Sequence, residues 1–206
     1  MPLSRFKFAL TGAHGTGKTT LIKSLMERLA PTSQVIETPE APRLITEEVG
    51  DPEFFRRGNN SFDRQCLILA RQLEVEAKAA DAGNQIVLCD RTIMDHWAYT
   101  RHAFPERCLT PEGKLWEAMV FRWVKTYDQI VYLTPEFAPV DDGVREADLS
   151  FQMEIDRELR RLYANAGVKH EAVTGTVVQR TDTCAILLER LSTDGIVTEL
   201  PERLRG

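Results

Sequence analysis

A doubly wound α/β domain, with a parallel sheet of about five strands flanked by helices, is predicted by three observations. Short β-prone runs near 6–10, 34–38, 85–90, 129–134 and 168–173 alternate with segments of helical periodicity. Two of these runs, Gln85–Asp90 and Gln129–Thr134, are almost continuously apolar, as strands buried on both faces are. A glycine-rich turn joins the first run directly to an amphipathic pattern. The 206 residues fit one domain spanning 1–206, with a lid segment at about 136–150 and a peripheral tail at about 193–206.

The first run, Phe6 to Leu10, leads into Gly12-Ala13-His14-Gly15-Thr16-Gly17-Lys18-Thr19-Thr20. This matches the P-loop pattern G-x-x-x-x-G-K-[ST], with Gly12, Gly17, Lys18 and Thr19 in the required places. Leu21, Ile22, Leu25 and Leu29 follow on one helix face. Strand, glycine loop and helix form the geometry in which backbone N–H groups and the positive end of a helix dipole face an anion. A P-loop NTPase fold follows. The residues from Gly12 to Thr20 are the candidate nucleotide ligands. Lys18 would bridge the β- and γ-phosphates, the Thr19 hydroxyl would ligate Mg²⁺, and Thr20 would lie near the α-phosphate. ATP is the default nucleotide, because no guanine-specifying motif is evident.

Gln34–Thr38 reads as the second strand. Pro39 and Pro42 predict a non-helical exit that leaves Glu40 and Arg43 at its C-terminal end. Residues 50–60 read as a surface loop. Ser61 would cap a long helix with Phe62, Cys66, Leu69, Leu73, Ala77 and Ala80 on one face, closed by Gly83. The third strand ends in Asp90. Residues 102–110 read as a loop, and Thr110-Pro111 as a capped helix start. Leu115, Trp116, Met119, Val120, Trp123 and Val124 would share the face of that helix. After the fourth strand, Pro135–Asp148 is acidic and proline-bearing. A helix from Asp148 or Ser150 to Ala166 would end at Gly167, and another would run from Thr181 or Asp182 to Leu191.

Asp90-Arg91-Thr92 follows a buried strand directly. An acid there can hold Mg²⁺ in the manner of a Walker-B carboxylate. Arg91 can place its planar fork on a transferred or acceptor phosphoryl group. The loops at Gly12–Thr19, Glu40–Arg43 and Asp90–Thr92 all follow strand C-termini, where ligands bind in such sheets, and are expected to converge.

Composition limits the partners. A formal charge of −5 gives no global attraction to nucleic acid. Cys66, Cys89, Cys108 and Cys184 lack CxxC spacing, and His14, His96, His102 and His170 lack metal-ligand spacing. There is no signal-peptide pattern and no apolar run of membrane-spanning length, so a soluble, cytoplasmic chain is expected. The apolar helix carrying Trp116 and Trp123 fits a core face and a homodimer face alike.

Asp90-Arg91-Thr92-x-x-Asp95-x-x-Ala98-Tyr99, together with the P-loop, resembles the P-loop kinase family that contains the ribosylnicotinamide kinase domain of bacterial NAD-biosynthesis regulators. The chain is also similar to thymidylate and deoxynucleoside kinases. Glu40-x-x-Arg43, Arg71-Gln72-Leu73-Glu74 and Asp141-Asp142-Gly143-Val144-Arg145 fit the resemblance, which spans about residues 6–170. It implies a nucleoside- or nucleotide-kinase-like fold with a lid. Glu40 would be the base or anchor for an acceptor hydroxyl, with Glu37 as the fallback. Arg43 would lie beside the substrate, Gln72 would read a nucleobase edge or be solvated, and Arg145 would close over the phosphates. The first strand begins at about residue 6. The adenylyltransferase and helix-turn-helix parts of those regulators are therefore expected to be missing, and an NAD-regulator role is not carried over.

Three functions remain open at this point. The first is an ATP- and Mg²⁺-dependent kinase that phosphorylates a hydroxyl or phosphate of a nucleoside, nucleotide or ribosylnicotinamide-like molecule. The second keeps the chemistry but acts on a hydroxymethylated base in DNA; Arg56-Arg57 and Arg101-His102 would be its local basic patches. The third is a regulatory nucleotide-binding module without transfer.

Overall fold

The strands are β1 (Phe6–Thr11), β2 (Val35–Thr38), β3 (Ile86–Asp90), β4 (Gln129–Leu133) and β5 (Glu171–Val173). They form one sheet in the order β2-β3-β1-β4-β5, and every neighbouring pair is parallel. The computed structural model describes residues 6–29, 35–51, 53–54, 60–81, 86–136 and 149–193. The helices are α1 (Lys18–Leu29), α2 (Ala41–Val49), α3 (Phe62–Asp81), α4 (Ile93–Ala103), α5 (Pro105–Leu109), α6 (Pro111–Trp123), α7 (Leu149–Ala166) and α8 (Val177–Thr193).

Strand alternation sorts the side chains into two layers. Phe6, Phe8 and Leu10 of β1 join Ile86, Leu88, Val131 and Leu133 against Leu21, Ile22, Leu25 and Leu29 of α1 and Cys184 and Leu188 of α8. Ala9, Val87, Cys89, Ile130 and Tyr132 point the other way, onto Leu69 of α3, Trp97 of α4 and Leu159 and Leu162 of α7. Both faces of the sheet are covered, which is why β3 and β4 read as unbroken apolar runs. Each fully buried Leu or Phe contributes about 1.5–3 kcal/mol. All five strand C-termini point one way, so the loops that follow them share one edge.

Several helices depart from the sequence reading. Pro42 does not prevent a helix: it lies in the first turn of α2, where its missing N–H costs nothing. Glu40 is therefore the N-cap of α2, Arg43 is inside it, and Gly50 closes it with φ 71°. The expected loop at 102–110 is mostly helical, comprising the end of α4 and the short α5. α4 gives no amphipathic stripe because Ile93 to Ala98 are buried on every side.

Phe62 and Leu69 of α3 are buried as expected, with Cys66 and Leu73 packed against the core, but Gln65, Ile68, Gln72, Glu76 and Ala79 are buried too, whereas Ala77 is exposed. Polar residues occupy several of the inward positions, so an apolar count finds only part of the buried face. Leu115 is 74% exposed rather than packed with Val120 and Val124. α8 starts at Val177 instead of Thr181 or Asp182, because Thr176 and Gln179 cap one another: the Gln179 N–H donates to Thr176 Oγ1 and the Thr176 N–H to Gln179 Oε1. Ser61, Thr110 and Gly167 cap as expected. Gly83, Arg56-Arg57, the lid residues 137–148 with Arg145, and the tail from 194 lie outside the described residues. Among the described residues no helix is long and apolar enough to cross a membrane.

Candidate functional site

The glycine loop leaves β1 at Thr11 and enters α1 at Lys18. Gly12 has φ 141°, and a Cβ there would lie 2.4 Å from the Leu133 carbonyl oxygen, so only glycine lets the loop pass the end of β4. Gly15 and Gly17 have φ 72° and 87°, left-handed values that turn successive peptides around a concavity. Lys18 is 5% exposed, and its Nζ donates to the carbonyls of Gly12 and Ala13, both at 2.6 Å. Thr16 Oγ1 donates to the Ala13 carbonyl. Thr20 is exposed in the first turn of α1.

Two pairs connect this loop to the neighbouring strand ends. Thr19 Oγ1 donates to Asp90 Oδ2 at 3.0 Å. Arg91 Nε donates to Glu40 Oε1 at 2.7 Å, with side-chain exposures of 6% and 15%. The three loops expected to converge therefore do meet. Arg91 has φ 85°, the one non-glycine residue with positive φ among those described. Such backbone strain costs about 1–3 kcal/mol and collects at functional sites. Its N–H is held by the Leu10 carbonyl of β1, while its Nη1 is buried without a hydrogen-bond partner. Burial disfavours the Arg91 charge, but Glu40, Tyr99, Asp95 and Asp90 more than offset it and raise the guanidinium pKa. Burial and then Asp90 raise the Glu37 pKa, against Lys23 and Arg43. Arg43 itself is exposed.

Gln72 does not reach this group. It is fully buried, donates to Glu76 Oε1 at 2.8 Å and lies 3.2 Å from His96 Nε2, so neither substrate reading nor solvation describes it.

Other residues gather here for which the sequence predicts no role. Asp95 Oδ2 accepts from Thr11 Oγ1, the Thr92 N–H and Thr92 Oγ1, and its Oδ1 accepts from the Gly12 N–H at 3.1 Å. The Thr92-x-x-Asp95 spacing of a capping box was its local signal. Tyr99 OH accepts the His14 N–H at 3.0 Å. Gln152 of α7 and Arg180 of α8 bond loop carbonyls, and no local pattern marks either residue. A cavity of about 150 Å³ lies between Gly15–Gly17, Leu21, Gly175, Val177 and Arg180.

The donor set fits the groups the motif implies. A hydroxyl and a carboxylate 3.0 Å apart suit Mg²⁺, which keeps most of its waters and takes few protein ligands. The orphaned Arg91 Nη1 suits an oxyanion, since a buried donor without a partner is otherwise costly.

Comparison with solved structures gives a P-loop kinase-like fold. The chain superposes on a NadR protein in complex with NR at TM-score 0.67 and 20% identity, over 91% of this chain and 51% of that one. A NadR protein in complex with NAD and AMP-PNP gives 0.67 and 19%, over 90% and 49%. The chain thus spans about half the length of these NadR chains. Thymidylate kinase from Ehrlichia chaffeensis gives 0.65 and 20%, over 91% and 100%. A search of curated protein sequences gives no match. At these identities the likeness is one of fold. A family model described as an AAA domain matches residues 7–180. That stretch holds the glycine loop, Asp90-Arg91 and all of the sheet except Phe6, and the chain belongs to this AAA-domain family of P-loop proteins.

Proposed function

We propose that this protein is an ATP- and Mg²⁺-dependent phosphotransferase that moves the γ-phosphoryl group of ATP to a hydroxyl of a nucleoside-like small molecule. The observation that carries this reading is the side-by-side placement of Thr19–Asp90 and Arg91–Glu40 at the rim of the glycine loop. One pair suits the donor and the other an acceptor. A module that only binds nucleotide has no use for the second pair.

In this reading Lys18 contacts the β- and γ-phosphates, and the cavity beside Gly175 and Val177 receives the base. Thr19 and Asp90 would hold Mg²⁺, which neutralises charge on the phosphates when bound. The acceptor oxygen forms a bond to the γ-phosphorus as the bond to the β,γ-bridging oxygen breaks. ADP departs with that electron pair, and the acceptor proton passes to Glu40. Arg91, fixed through Nε, offers its remaining donors to the transferring oxyanion.

The carboxylates Glu37, Glu40 and Asp90 favour a hydroxyl over a phosphate acceptor, because Arg91 is already paired with Glu40. Likeness in fold to a NadR protein bound to NR and to thymidylate kinases supports a nucleoside-like acceptor.

The test is ATP consumption against a panel of nucleosides, nucleoside monophosphates, nicotinamide riboside and single-stranded DNA carrying hydroxymethylated bases, with Lys18→Ala as control. Turnover of a free nucleoside that disappears in the control is expected. Tight Mg–ATP binding without turnover of any acceptor would instead establish a binding module.

A further inference from the structure

Two carbonyls of the glycine loop are held by side chains that arrive from outside it. The His14 carbonyl accepts from Gln152 Nε2 at 2.7 Å, and the Thr16 carbonyl from Arg180 Nη1 at 2.7 Å. Gln152 lies in the first turn of α7 and is 0% exposed, and Arg180 in α8 is 3% exposed. Arg180 is itself held in place. Its Nε donates to the Gly175 carbonyl at 2.8 Å and its Nη2 to Glu136 at 3.0 Å, while Glu136 also accepts the Gly175 N–H at 2.9 Å. A planar fork spread over three acceptors has one orientation. Gln152 Oε1 is buried without a partner. A buried acceptor left unmatched is costly and is hard to explain by packing alone.

In a trans peptide the carbonyl of one residue and the N–H of the next point in opposite directions, and no peptide bond among the described residues is cis. Pulling the His14 carbonyl outward toward α7 therefore turns the Gly15 N–H inward. Pulling the Thr16 carbonyl toward α8 does the same to the Gly17 N–H. We propose that Gln152 and Arg180 are positioning residues of the loop: they lock these two peptide planes so that both N–H groups face the phosphates of a bound nucleotide. The inference rests on the nucleotide reading given above. It adds that the cradle is preorganised from two helices distant in sequence rather than by its glycines alone.

The experiment compares wild type with Gln152→Met and Arg180→Lys. Each keeps bulk or charge but loses the directed donor. Mg–ATP affinity is measured by titration calorimetry, and the Gly15 and Gly17 amides are followed by glycine-selective ¹⁵N spectra. Each variant is expected to weaken Mg–ATP by ~10-fold, the equivalent of one lost hydrogen bond. The Gly15 signal should respond less to nucleotide in Gln152→Met, and the Gly17 signal less in Arg180→Lys. Melting midpoints should stay within ~4 °C of wild type.

Wild-type affinity in both variants would overturn the proposal. So would weakened affinity with both glycine responses intact, which marks a merely structural loss. If Arg180→Lys does not fold, Gln152→Met still tests the proposal at the His14 carbonyl. Failure of the wild type to bind Mg–ATP is a separate result and would overturn the nucleotide reading itself.

Discussion

Two buried ion pairs lie at opposite ends of the sheet and are built differently. Near the start of β1, Lys7 Nζ meets Glu76 Oε2 at 2.8 Å. Glu76 also accepts from Trp123 Nε1, Tyr127 OH and Gln72 Nε2, so four donors surround one carboxylate. Lys7 Nζ donates further to Thr126 and sits 4.6 Å from the ring centroids of both Trp123 and Tyr127. At the strand ends, Arg91 and Glu40 form a comparably buried pair, but on a strained backbone and with Arg91 Nη1 unmatched. A buried charge with every partner supplied rigidifies a core; one with bonding capacity left over is suited to a ligand. Burial and charge alone do not separate these cases, but a count of hydrogen bonds does.

Breaking each pair should therefore affect different properties. The largest effect is expected from Glu76→Leu, which strands the Lys7 ammonium and should cost about 3–5 kcal/mol in urea unfolding. The double variant Lys7→Met/Glu76→Leu should recover part of that loss. A Glu76→Leu protein as stable as wild type would erase the contrast. Arg91→Gly should behave differently. Relief of about 1–3 kcal/mol of backbone strain offsets part of the lost pair, so stability falls by less than in Glu76→Leu. Phosphoryl transfer should still fall by roughly 10²–10³-fold, and retained turnover would remove Arg91 from the site.

Asp90→Asn is expected to raise the Mg²⁺ concentration for half-maximal nucleotide binding by ~10-fold, as for one lost charge-assisted contact. No change in a Mg²⁺ titration would separate Asp90 from the metal.

The smallest effect concerns pH. Burial and Asp90 raise the Glu37 pKa in the fold, so above the unfolded value of 4.5 the native state holds more proton than the unfolded state. Stability contributed by protonated Glu37 is complete below that value and is lost as pH rises through the folded pKa. Glu37→Gln should flatten this decline, by less than ~1 kcal/mol for a half-exposed group. A steeper decline in the variant would reverse the sign.

Much of the fold was legible because its signals are local. β3 and β4 are continuous apolar runs, and α1 carries Leu21, Leu25 and Leu29 at helical spacing. α2 is not legible along the chain, because Pro42 signals a break there but stands in a first turn, where proline is tolerated. The face of α3 is legible only in part, because Gln65, Gln72 and Glu76 are buried as hydrogen-bonded groups, which an apolar stripe does not reveal. Lys18, Thr19 and Asp90 were legible from motif spacing. Gln152 and Arg180 were not, since each meets its loop carbonyl across 138 and 164 residues.

By itself the sequence determined the glycine loop, the alternation of strands and helices, and the edge of the sheet on which the loops would gather. These follow from backbone sterics and from periodicities of two and 3.6 residues, which act between near neighbours. Only the tertiary structure decided that Arg91 pairs with Glu40, that Glu76 is saturated, and that α7 and α8 hold the loop's carbonyls. Those outcomes depend on which donors and acceptors the parallel sheet brings within about 3 Å, a distance that spacing along the chain does not encode.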